Sequence, residues 1–73
     1  MAEKSNELTK LVTIATDLQL AADLRTKAIE QLGSLGTHEA LLALLDLAAN
    51  VGLVRTEREL ALKYAREIIK SGD

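Results

Sequence analysis

The chain has 73 residues, 48% of them apolar, with no cysteine and no proline. That length supports one small domain, residues 1–73, burying about 60% of the surface its unfolded form exposes. The missing thiols exclude disulfides, thiolate metal sites and cysteine nucleophiles. Nine basic against 11 acidic side chains leave a net charge of −2, with no positive excess to hold a polyphosphate, which argues against nucleic acid as a general partner. The opening MAEKSNELTK has mixed charges and no apolar run of signal-peptide type. The greasiest stretch, Ala40 to Val54, falls short of the roughly 20 residues of a spanning helix and holds Asp46 and Asn50. The expectation is a cytoplasmic chain with no membrane role.

Ala, Leu, Glu, Lys and Gln dominate, and no stretch alternates with a period of two, so the predicted fold class is all-α. Ser5 is placed to cap a first helix running to about Asp17, with Leu8, Leu11, Val12, Ile14 and Ala15 on one face. Asp23 is placed to cap a second, in which Leu24, Ala28, Ile29, Leu32 and Leu35 share one side and Thr26, Lys27, Glu30 and Gln31 the other. Gly36 suits a left-handed C-terminal turn, and Thr37 restarts the chain as the next N-cap. Gly33 needs another reason, because glycine in a last helical turn costs about 1 kcal/mol relative to alanine; close approach by a neighbouring helix supplies one. The third helix, Thr37 to about Asn50, is apolar nearly all round and is expected to be the most buried. Gly52 ends it, and Thr56 with Glu59 reads as a capping box for a fourth helix reaching about Lys70.

Sliding the chain on itself so that Arg25 meets Arg58 also aligns Leu8 with Leu41, Leu11 with Leu44, Ala15 with Ala48, Leu20 with Leu53 and Ala28 with Ala61. Val12 with Leu45, Ile14 with Leu47, Ile29 with Leu62 and Leu35 with Ile68 keep apolar character. A period of this length made of two helices signals a helical solenoid. Repeat 1 spans about 5–36 and repeat 2 about 37–70, giving two stacked antiparallel helical hairpins.

The stretch DLRTKAIEQLGSLGTHEALLALLDLA resembles a HEAT-type repeat of the short variety found in bilin-lyase-like proteins. In that family a Val-Arg pair opens one helix, an alanine follows three residues after the arginine, and Leu-Gly-x-Leu-Gly leads into the next. Leu24-Arg25, Ala28 and Leu32-Gly33-Ser34-Leu35-Gly36 match. The second copy keeps Arg58 and Ala61, has Glu57 in the apolar place and lacks the glycine pair. The family's turn aspartate would fall near Gln19 and Gly52, so that element is absent from both copies. The resemblance implies a structural role for Arg25 and Arg58, bonding to turn carbonyls or to a neighbouring repeat.

Catalytic constellations are not visible, so the chain reads as a non-enzyme without a cofactor or metal. His38, the single histidine, stands at a helix start with no convergent ligands or nucleophile. The pairs Glu39 with Asp46 and Glu57 with Glu59 read as solvated surface, since acid–base pairs need an enclosed pocket. Arg55, Arg58, Lys63, Arg66 and Lys70 form a loose basic arc on the fourth helix, interrupted by Glu59 and Glu67 at salt-bridging spacing. The leading expectation is a protein-interaction or scaffold module. Its surface would be the face of the second and fourth helices, lined by Lys27, Glu30, Gln31, Glu59, Lys63 and Glu67 and anchored by Leu60 and Tyr64, which replace Lys27 and Gln31 at the repeat offset. Leu60 and Tyr64 read equally well as core residues. A protein partner or self-association is expected. The alternatives are a small accessory subunit of an enzyme complex, as the bilin-lyase resemblance permits, and anion or nucleic-acid binding through the basic arc.

Overall fold

Four helices make up the secondary structure: α1 (Ala2–Ala15), α2 (Ala22–Leu35), α3 (His38–Ala49) and α4 (Arg55–Ser71). The computed structural model describes the backbone of residues 2–71 and the side chains of residues 7–71. All regular structure among the described residues is helical, as the residue usage and the three- and four-residue apolar spacing require.

α1 and α2 form one helical hairpin, α3 and α4 another. α2 is the central element: it packs against α1, α3 and α4, whereas α1 meets α3 only at its margin. The core follows from that placement. Ile29, Leu32, Leu44 and Leu47 are its largest fully buried side chains, joined by Ala15, Ala28, Leu53, Ala61 and Ala65. Buried alanines at helix contacts let the backbones approach closely, and leucine fills the space between them. The radius of gyration, 11.3 Å, is what a compact chain of this length should have, about 11 Å.

The two hairpin turns share a set of equivalent bonds. In the first, Asp17 Oδ1 accepts from the Gln19 amide at 2.9 Å; in the second, Asn50 Oδ1 accepts from the Gly52 amide at 2.8 Å. The Leu20 amide donates to the Asp17 carbonyl as Leu53 does to Asn50, and the Arg25 amide to the Ala21 carbonyl as Arg58 does to Val54. Each of these pairs is separated by the same offset that aligns Arg25 with Arg58. Asp17 and Asn50 therefore serve the two turns in the same way. Aspartate and asparagine suit this place because a short side chain can bond its own backbone two residues on.

Helix ends show where local chemistry prevails and where it does not. Gly36 closes α2 with φ of 63°, a conformation that costs other residues the clash of a Cβ. Thr37 caps α3, its Oγ1 accepting from the Ala40 amide at 3.1 Å. Three other caps differ from expectation. Ser5 lies inside α1, which begins at Ala2; its side chain is outside the described residues. Asp23 lies in the first turn of α2, whose N-cap is Ala21 with no side-chain bond. Thr56 is the second residue of α4, and Glu59 turns to Arg55 instead of closing a capping box. In α2 and α4 the carbonyls of Ala21 and Val54 accept the first intrahelical bonds, from Leu24 and Arg25 and from Glu57 and Arg58.

α3 is not the most buried helix. Ala40, Leu44 and Leu47 are buried, but Leu42 and Leu45 face outward, and α2 has the larger buried set. The reason is topological: the other three helices all pack on one side of α3, and none of them covers Leu42 and Leu45.

Candidate docking surfaces

The polar residues assigned to the face of α2 and α4 are all exposed: Lys27, Glu30 and Gln31 on α2, Glu59, Lys63 and Glu67 on α4. Leu60 and Tyr64 are different. Both are half-buried and rest on the chain's own core. The Tyr64 ring lies over Gly33, where a Cβ would come within 2.7 Å of Tyr64 Cδ1 and 2.8 Å of Cγ. This is the close approach that explains Gly33, and it comes from a side chain of α4 rather than from backbone. Lys63 Nζ stands 6.0 Å from the Tyr64 ring centroid, at the outer limit of a cation–π contact.

Arg25 is buried and divides its donors. Nη1 donates to the Leu20 carbonyl at 2.6 Å, while Nε and Nη2 lie 3.0 and 2.9 Å from Glu57 Oε2. It thus ties the turn before α2 to the start of α4. Arg58, its equivalent, donates from Nε to the Ala48 carbonyl at 2.9 Å and is partly exposed. Glu57 is not a solvated surface acid: it is buried, and its Oε1 has no hydrogen-bond partner among the described residues. Glu39, Asp46 and Glu59 are exposed, and His38 is exposed at the first position of α3. The described residues contain no group of three or more metal-ligating side chains.

The basic arc on α4 is divided by these bonds. Arg55 pairs with Glu59 at 3.1 Å in the exposed i, i+4 manner, and Arg58 is drawn to Ala48. Lys63, Arg66 and Lys70 remain along one shallow depression with Glu67 among them.

Two further grooves were not singled out from the sequence. One, of about 220 Å³ and almost wholly aliphatic, lies between α1 and α2 and is lined by Leu11, Ile14, Leu24, Lys27, Ala28 and Gln31. The other, of about 380 Å³, lies between α3 and α4 and is lined by Ala48, Arg55, Arg58, Glu59 and Leu62. Amphipathic spacing puts Ile14, Leu24 and Leu62 in the core-facing stripes of their helices. Only the placement of the hairpins leaves them uncovered. No helix among the described residues is long and apolar enough to cross a membrane. Comparison with protein-family models, with curated proteins and with solved structures returned no match.

Proposed function

We propose that the chain is a non-catalytic protein-docking module built as an α-solenoid-like pair of HEAT-like hairpins. The observation that supports this reading is where its aliphatic side chains lie. Leu42, Leu45, Leu62 and Ile69 are exposed on α3 and α4, and Ile14, Leu24 and Leu35 on α1 and α2. Single exposed leucines are ordinary, but seven on so small a domain form faces that a partner can dehydrate. Around them Lys27, Glu30, Gln31, Glu59, Lys63 and Glu67 supply a polar rim, with Leu60 and Tyr64 holding the two helices of that rim together. A rim of mixed charge contributes orientation and association rate more than affinity. The anion-binding reading retains only Lys63, Arg66 and Lys70 as cations without a bonded partner among the described residues.

The test is quantitative affinity capture from an extract of the source cells, comparing the unaltered chain with Leu42→Glu/Leu45→Glu. Both positions are exposed, so helicity by circular dichroism should be unchanged. The module reading expects at least one protein retained by the unaltered chain and lost from the variant. Equal retention by both, or none above a blank resin, would overturn it.

A further inference from the structure

The junction between the two hairpins is itself a template. Two contacts define it: Arg25 with Glu57, and Gly33 with Tyr64. On the α2 side, Arg25, Ile29 and Gly33 share one face; on the α4 side, Glu57, Ala61 and Tyr64 share another. Moved by the Arg25-to-Arg58 offset, the first face becomes Arg58, Leu62 and Arg66 on α4, and the second becomes Leu24, Ala28 and Gln31 on α2. Leu24, Ala28 and Gln31 line the groove between α1 and α2, Arg58 and Leu62 line the one between α3 and α4, and Arg66 lies one helical turn further along α4, in the depression shared with Lys63 and Lys70. Burial follows position. Ile29 is 0% exposed and its equivalent Leu62 43%; Leu47 is 2% exposed and its equivalent Ile14 36%; Glu57 is 3% exposed and its equivalent Leu24 46%. Each buried member lies in the half that has a hairpin over that face. The molecule therefore exposes both halves of a joint that it already makes once internally, one at each end.

We propose that copies of this chain associate head to tail, the α1–α2 groove of one copy seating on the α3–α4 groove of the next in the manner of the internal junction. This rests on reading the chain as a docking module and names a second copy as its partner. The contact is heterologous, with different surfaces meeting, so it extends into chains or closes into rings. Its composition differs from the internal junction in a defined way. Arg58 faces Leu24 where Arg25 faces Glu57, and Arg66 faces Gln31 where Gly33 faces Tyr64. The joint lacks both the ion pair and the ring over glycine, and is accordingly weaker and reversible.

Sedimentation of the unaltered chain from micromolar to millimolar concentration should show mass rising with concentration. Ile14→Glu blocks one end and Leu62→Glu the other, each leaving a monomer; mixed in equal amounts they should form a heterodimer and nothing larger, because one good joint remains. A charge contrast at one site gives a second measurement. Leu24→Lys should weaken association by about tenfold more than Leu24→Glu, because the charge would approach Arg58 of the neighbouring copy. A strictly monomeric unaltered chain, a mixture that stays monomeric, or equal effects of the two Leu24 changes would each overturn the head-to-tail joint. A monomer would leave the docking module to stand or fall by its own capture test.

Discussion

Arg25 carries two of its nitrogens across the junction to Glu57 and a third to the turn before its own helix, and shows how one side chain can serve two parts of a small fold. Its guanidinium satisfies a turn carbonyl and the Glu57 carboxylate together, with side-chain exposures of 9% and 3% for the pair. A buried ion pair is weak evidence of net stability, because desolvation offsets the attraction, but removing one partner strands the other. The unused Glu57 Oε1 makes this pair less than fully satisfied. Arg25→Ala should therefore lower the unfolding free energy by about 3 kcal/mol or more, and Arg25→Met combined with Glu57→Leu should recover most of the loss. Urea denaturation of the three chains checks this; a double variant as unstable as the single one would show that the Leu20 carbonyl bond matters more than the pair. A bond from Arg25 to a turn carbonyl was what the family resemblance implied, and the Leu20 carbonyl accepts one. The burial of Glu57 was not legible: within TERE it has every mark of a surface residue, and only the arrival of α2 over that turn buries it.

At the scale of elements, α2 and α4 meet through Gly33 and Tyr64. Alanine at Gly33 would gain about 1 kcal/mol of helix propensity. It would also place a Cβ under 3 Å from two ring atoms and at 3.0 Å from Tyr64 Cβ. The last of these contacts is at the root of the side chain, so rotating the ring does not relieve it and the helices must separate. Overpacking of this kind costs about 1–3 kcal/mol. Gly33→Ala should be net destabilising, and in a Tyr64→Ala background the same change should become neutral or favourable. A double-mutant cycle by thermal unfolding measures the coupling; additive effects would mean the ring does not hold this position in solution. The glycine pair thus has two separate physical causes. Gly36 needs its left-handed φ, which the residue order around a helix end reveals, whereas Gly33 needs the space of its missing side chain, which a neighbouring helix alone defines.

For the whole molecule, the position of α2 between the two hairpins couples them. Its inner face is fully buried only when α3 and α4 are in place, so neither half retains a closed core alone. Unfolding in urea should be a single transition. Tyr64, the sole aromatic residue, sits at the α2–α4 contact, so its fluorescence reports the junction while far-ultraviolet circular dichroism reports the helices. The two curves should coincide. A Tyr64 transition at lower urea would show the hairpins separating before they melt. With a core this small, each end face left bare reduces stability, and association of the ends would raise the midpoint at higher protein concentration.

Local chemistry by itself determined the helical class, the left-handed stop at Gly36, the Thr37 cap and the recurrence of one helix–turn–helix pattern along the chain. These depend on residues within a few positions of one another, where spacing and backbone preference decide the outcome. The tertiary structure alone decided that Glu57 is buried, that Tyr64 fills the space over Gly33, and that Ile14, Leu24, Leu42 and Leu62 stay exposed. An apolar stripe specifies that a helix needs cover on that side. Whether cover arrives depends on which other helices reach it, and two hairpins provide one mutual junction and leave two faces open.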